Sequence, residues 1–201
     1  PSKQKTPGVA FLYDDTVDFA IKNIKSKVDF LIVMPHSGIE LYQYPLKRDQ
    51  EIYKKMVDLG ADLVVGSQPH VIQAMENYLN KYIYYSTGDL LFDHFHEDIK
   101  SDFTSEISHS KKFSIEPNFS LTQFSLLIQI DIINGELVVH HHPVFNKDGY
   151  NPTILNSVTR EQWLKKYALI NYNLKYSPRI EKERSSIEKK LMKDLNSRGV
   201  L

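Results

Sequence analysis

The alternation of apolar and polar positions divides the chain into a dense, regular first half and a more varied second half. Val9-Ala10-Phe11-Leu12-Tyr13 predicts a short strand. Asp14 and Asp15 then offer N-cap oxygens to a helix with Val17, Ala20, Ile21 and Ile24 at helical spacing. Val28 to Met34 is a near-continuous apolar run with one Asp, the pattern of a strand covered on both faces. Beyond the loop Pro35-His36-Ser37-Gly38, and after Pro45, the residues Leu46, Ile52, Tyr53, Met56 and Leu59 mark one side of a helix that Gly60 terminates. Asp62-Leu63-Val64-Val65 predicts the next buried strand, so strand, helix and strand make a βαβ unit with a right-handed crossover. Tyr78 leads through a turn at Leu79-Asn80-Lys81 into the aromatic strand Tyr82-Ile83-Tyr84-Tyr85, which ends at Ser86-Thr87-Gly88-Asp89.

The pattern then changes. Residues 93–120 are polar, rich in Ser, His, Lys and Asp, and have no clear period, which predicts a long loop. Two strand-like runs, Leu121 to Ile133 and Glu136 to His140, flank Asn134-Gly135 and predict a hairpin. From Thr159 the chain is helical and charged, with Pro178 as the one break; its charge runs read as a solvated face laced with local ion pairs. The expected organisation is a main unit over residues 1–158 and a helical C-terminal extension over 159–201.

Composition narrows the function classes. Of 201 residues, 41% are hydrophobic and 25% charged, enough to bury a core of about one domain. Lys and Arg total 25, as do Asp and Glu; a neutral chain gives no support for binding a nucleic-acid backbone. The absence of Cys excludes disulfides, thiolate metal sites and cysteine nucleophiles. No apolar run is long enough to span a bilayer. The opening Pro1-Ser2-Lys3, with no initiator Met, raises the expectation of a fragment whose signal peptide or anchor would lie elsewhere.

The candidate chemistry is positional. His36, His70 and the Ser86–Asp89 segment each follow a predicted strand, and loops after adjacent parallel strands share one sheet edge, where ligands bind. Two imidazoles delivered there suit zinc, manganese or iron, with Glu40 or Asp89 as nearby carboxylates. The plainer alternatives are that each His caps a loop, and that Gly66-Ser67-Gln68-Pro69-His70 and Ser86-Thr87-Gly88-Asp89 are simple turns. In His140-His141-His142, strand alternation puts the first and third on one face and His141 on the other.

Three blocks together resemble the bacterial capsule-synthesis family of the poly-gamma-glutamate (CapA/PgsA) type. Asp29 to Glu40, DFLIVMPHSGIE, resembles its segment of Asp, hydrophobic run and His-Trp-Gly-x-Glu. Asp58 to Gln73, DLGADLVVGSQPHVIQ, resembles its Asp-Ala-Gly-Ala-Asp, hydrophobic and Gly-His-His-Pro-His segment. Tyr84 to Asp93, YYSTGDLLFD, resembles its Tyr-Ser-Leu-Gly-Asn segment, and Pro143, Gly149 and Pro152 to Leu155 match the pattern that follows. The resemblance covers about residues 6–155, departs at Gln68 (His in the family), Ser37 (Trp) and Asp89 (Asn), and lacks the family's first-half Gly-Asp and Asn-Asn-His motifs.

The resemblance implies an α/β fold of the layered metallophosphatase-like (calcineurin-like) sandwich type, of which this chain is the second half. It also implies a divalent-metal site of manganese, zinc or iron, dinuclear once an upstream segment or partner chain completes it. His36, His70 and Gln68 stand at metal positions, His36, His70 and Asp89 at catalytic positions, and Ser67, Gln68, Ser86, Gly88 and Glu40 at substrate-binding positions. The implied activity is metal-dependent phosphoester hydrolysis in capsule or poly-gamma-glutamate biosynthesis. The alternative is a non-catalytic subunit that binds, anchors or exports an anionic polymer. The implied location is extracytoplasmic, at the cell surface or held by a membrane anchor outside this chain.

Overall fold

A computed structural model describes residues 10–12, 15–91, 121–146 and 151–197. Helix α1 (Asp15–Lys25) is followed by β1 (Ile32–Val33), α2 (Lys47–Asp58), β2 (Leu63–Val65) and the hairpin β3 (Met75–Tyr78) and β4 (Lys81–Tyr84). A second hairpin, β5 (Phe124–Ile133) and β6 (Glu136–Asn146), leads to β7 (Pro152–Ile154) and the helices α3 (Ser157–Tyr176) and α4 (Pro178–Ser197). The molecule is therefore mixed α/β. Its strands form one four-stranded sheet in the order β1-β2-β4-β3 and one antiparallel sheet in the order β5-β6-β7.

Strands β1, β2 and β4 run parallel, with Ile32 opposite Leu63 and Leu63 opposite Tyr82. The expected strand–helix–strand unit around α2 is thus present. Gly60, at φ +115°, ends the connection from α2 into β2. The turn at Asn134 and Gly135 has φ 53° and 80°, the double left-handed geometry that favours Asn-Gly in a tight hairpin. Leu79 and Asn80 turn in the same way between β3 and β4, at φ 51° and 60°. The run from Met75 to Tyr78, which the sequence pattern leaves unassigned, is the strand paired to β4.

Three expectations are corrected. In the stretch Val9–Tyr13, the described residues 10–12 carry no strand. The run from Val28 to Met34 is not a strand covered on both faces. Only Ile32–Val33 pair, and exposure alternates, with Leu31, Val33 and Pro35 turned inward and Ile32, Met34 and His36 outward. Among the described residues β1 is the outermost strand of its sheet, so nothing there shields its outward side. The third correction concerns the C-terminal charge runs, which are not wholly a solvated face: Arg184 of α4 is buried, and both helices pack on the main cluster. Trp163, Tyr167, Ile170 and Leu174 of α3 and Ile180 of α4 join the buried cluster that holds Tyr53, Met56, Leu63, Ile83 and Phe124. Their spacing of four, three and four residues lines one face of α3. The expected loop over residues 93–120 lies outside the described residues.

Helix α4 is anchored by Arg184, only 2% exposed, whose Nε donates to Pro45 O at 2.6 Å and whose guanidinium also bonds Gln50. That contact fixes the chain entering α2, one step from the loop that follows β1. Among the described residues, no helix is long and apolar enough to cross a membrane.

Candidate functional site

The parallel strands β1, β2 and β4 deliver three loops to one sheet edge, and main-chain hydrogen bonds sew the loops together. Ser37 N–H donates to Ser67 O at 3.1 Å, Ser67 N–H to Pro35 O at 3.0 Å and Leu41 N–H to Pro69 O at 2.8 Å. A parallel bridge between His36 and Ser67 thereby carries the β1–β2 ladder past the ends of both strands. On the other side Gln73 N–H donates to Ser86 O at 3.1 Å, and Ile72 bridges Thr87. The third loop is held in turn by the second sheet, through Leu126 N–H to Thr87 O at 2.8 Å and Asn146 Nδ2 to Leu90 O at 2.9 Å.

Close approach demands glycine at two places. A Cβ on Gly66 would lie 2.3 Å from Tyr85 O, and one on Gly88 would lie 2.7 Å from Phe124 O, in a backbone already at φ +70°. Three non-glycine residues of the first two loops, Leu41, Gln68 and His70, also adopt left-handed φ values of 57°, 104° and 58°. Such backbone costs on the order of 1–3 kcal/mol per residue and persists where the surroundings over-determine it.

His70 and Asp89 meet across this edge. Nδ1 of His70 lies 3.1 and 3.0 Å from the two carboxylate oxygens of Asp89, and each side chain is about one fifth exposed. An ionised carboxylate only accepts, so Nδ1 carries the proton and the lone pair of the neutral ring sits on Nε2. His36 is held by a hydroxyl, its Nδ1 3.0 Å from Ser67 Oγ, which also lies 3.5 Å from Pro35 O. His36 and Ser67 are exposed, as is Glu40.

The remaining expected site residues serve the loops. Gln68 Nε2 donates to Gly38 O at 3.3 Å, which leaves its amide oxygen as the acceptor. Ser86 is 1% exposed and its hydroxyl accepts from Gly88 N–H at 3.3 Å, so this pair closes a buried turn beneath the site surface. Among the described residues the hydrogen bonds of His36 and His70 go to Ser67 and Asp89, and Glu40 stands exposed beside them in the first loop. Among the described residues no three His, Cys, Asp or Glu groups converge closely enough to hold a metal ion; the carboxylate of Asp89 is occupied with orienting His70.

Two supporting residues escape sequence reasoning. Asp49, 2% exposed in the first turn of α2, accepts from Ser37 Oγ at 2.9 Å directly after His36. Gln73, 1% exposed, donates from Nε2 to Tyr42 O at 2.8 Å and clamps the first loop to the second. Asp49 is hidden in the charged run Lys47-Arg48-Asp49-Gln50-Glu51, whereas Gln73 closes the block that resembles the family's second segment.

Residues 1–94 match the family model described as bacterial capsule synthesis protein PGA_cap. This part of the chain is similar to the bacterial capsule-synthesis family. The segment contains every site residue named above, from His36 to Asp89. Over 92 residues the chain is 35% identical to the PGA biosynthesis protein CapA of Bacillus subtilis, covering 46% of this chain and 24% of that protein. It is 41% identical over 69 residues to the capsule biosynthesis protein CapA of Bacillus anthracis, covering 34% of this chain and 17% of that one. An uncharacterised protein of Sinorhizobium fredii is 24% identical over 162 residues, which is 80% of this chain and 34% of its length. The chain thus spans about a quarter or less of the two Bacillus capsule-synthesis relatives.

Proposed function

We propose that the sheet edge carrying His36, His70 and Asp89 is the metal-binding part of a phosphoesterase-like hydrolytic site acting in capsule or poly-gamma-glutamate biosynthesis. The observation that carries this reading is the pairing of His70 Nδ1 with the Asp89 carboxylate. A metal-ligating histidine typically donates its other ring N–H to a carboxylate, which fixes the tautomer and raises the basicity of the ligating nitrogen. The His36–Ser67 contact holds a second imidazole on the neighbouring strand end. The donor set is chemically suited to manganese, zinc or iron, with His36 and His70 as ligands and the Gln68 amide oxygen as a weaker third.

A divalent ion bound there would polarise a phosphoryl oxygen and acidify a water. The protein's own share is positional. Asp89 keeps the proton on His70 Nδ1, Ser67 holds the His36 ring through Nδ1, and the sewn loops hold both rings on rigid strand ends. The substrate class in this reading is a phosphoester or anionic polymer, met outside the cytoplasm at a cell surface. The layered metallophosphatase-like arrangement and a site completed by an upstream half or partner chain belong to the same proposal.

Gln68 favours a second reading, a non-catalytic subunit that binds, anchors or exports an anionic polymer. A neutral amide is a poorer ligand than imidazole, and here its NH₂ is already committed to Gly38 O. Metal stoichiometry by mass spectrometry after loading with manganese or zinc separates the two. The hydrolase reading expects bound metal that His36→Ala or His70→Ala removes, together with chelator-sensitive phosphoester turnover. Stoichiometric metal retained in His36→Ala overturns it, and polymer binding by metal-free protein supports the subunit.

A further inference from the structure

Helices α2 and α4 border an open groove of about 560 Å³. Lys47 lines it from the start of α2, and Ser185, Lys189, Met192, Lys193 and Asn196 line it from α4. These α4 residues recur every three or four positions, so they form one row along the helix. From Ser185 to Asn196 the row runs about 16 Å at 1.5 Å per residue. Its charge is positive. Lys47 is paired with Glu181, but Lys189 and Lys193 stand exposed and, among the described residues, carry no ion pair. Glu188, the acid lining the same groove, is turned to the α2 backbone, where its Oε1 accepts from Arg48 N–H at 3.1 Å. Arg48 adds a further cation beside the row, its Nη1 3.9 Å from Met192 Sδ.

We propose that this groove binds an extended polycarboxylate, laid along α4 with Lys189 and Lys193 on successive carboxylates. Three features select this ligand. The ammonium groups are strung along a row instead of converging on a point, which suits an extended anion better than a single phosphate. They are lysines, compact charges on flexible stems, which follow a flexible chain of carboxylates where arginine forks would demand fixed bidentate geometry. Met192 and the lysine stems place apolar surface between the charges, matching a polymer whose carboxylates are separated by methylene groups. The chain as a whole has no net charge, so this local row, and not a general attraction for nucleic acid, sets the ligand. Helix α4, which supplies most of the groove, lies outside residues 1–94 and apart from the loops of His36 and His70. The inference rests on the anionic polymer of the proposed function and not on its metal.

The test titrates the purified chain, in EDTA and low salt, into fluorescently labelled poly-gamma-glutamate and reads anisotropy. Lys189→Glu with Lys193→Glu should weaken binding by about tenfold or more, and added salt should bring the wild type toward the variant. Lys182→Glu with Lys190→Glu makes the same change of charge on the same helix outside the groove, and should keep the wild-type affinity. All four lysines are exposed, so both double variants should melt where the wild type does. Equal loss in the two double variants overturns the proposal in favour of a general charge effect. Binding that neither double variant alters also overturns it, and places the polymer elsewhere on the chain. Single-stranded DNA of equal charge bound as tightly overturns the choice of a polycarboxylate. No binding by the wild type overturns the proposal outright and leaves the hydrolase reading standing, because metal is chelated throughout.

Discussion

The carboxylate of Asp62 joins three pieces of chain. It accepts from Leu31 N–H at 2.9 Å, from Lys25 Nζ at 2.7 Å and from Lys81 Nζ at 2.8 Å. Burial pushes its pKa up, but the two ammonium groups and the backbone N–H outweigh burial, and the net shift is downward. A carboxyl depressed on folding stabilises the protein above its unfolded value, about 3.8, and that contribution is lost as pH falls through this range toward the folded value. Lys25 and Lys81 are 31% and 40% exposed, so screening places the cost of Asp62→Asn near the low end of about 1–3 kcal/mol at pH 7. Thermal melts over a pH series should show that deficit constant from pH 7 to 5 and shrinking below pH 4. Asp89 serves the proposed metal site rather than the fold. Asp89→Ala should weaken metal binding by about 10–100-fold, read by calorimetric titration, because the carboxylate orients His70. Its melting temperature should change little, since the loop is fastened by main-chain groups.

At the scale of elements, the two sheets meet where His141 of β6 packs between Tyr82 and Tyr84, ring centroids 6.0 and 5.5 Å away, and bonds the Tyr84 hydroxyl. Burial, followed by the nearby charges of Arg160, His142 and His140, holds the His141 pKa below its ordinary 6.5, so the neutral ring accepts from Tyr84. The stability from this contact is complete above pH 6.5 and is lost as pH falls below it, because protonation favours the unfolded chain. His141→Gln should therefore lose less melting temperature than the wild type between pH 7.5 and pH 5. How much of this was legible in the sequence depends on how local each cause is. Asn134-Gly135 dictates its own left-handed turn, and the βαβ unit follows from periodicity and short loops, so both were readable. An apolar run looks the same whether covered on both faces or open on one, so the exposure of Ile32 and Met34 was not. The stripe Trp163, Tyr167, Ile170 and Leu174 was hidden among the charges of α3. In the site, His36 and His70 announced themselves by following strands. Asp49 and Gln73 act on Ser37 and Tyr42, 12 and 31 residues away, and only the folded chain shows those partners.

For the whole molecule, one buried cluster reaches from Ile21 in α1 to Ile180 in α4, so apolar packing holds the fold. EDTA should accordingly leave the melting temperature of the purified chain unchanged. Manganese or zinc at 100 times its dissociation constant should add about 2.7 kcal/mol by mass action, seen as a melting shift that the chelator reverses. A metal that adds nothing at such excess would argue for the polymer-binding reading. The way the three site loops are fastened reaches beyond this one chain. Ser37, Leu41, Ser67 and Gln73 are tied through backbone N–H groups, which every residue except proline possesses. The side chains at 36 and 89 can therefore be exchanged without undoing the frame that displays them, whereas a residue at 68 or 70 must also accept a left-handed backbone. Gln68, which bonds Gly38 O by its side-chain amide, stands where the resemblance has His. The frame is therefore indifferent to which of the two proposed functions it displays, and the choice between them rests on a few exchangeable side chains.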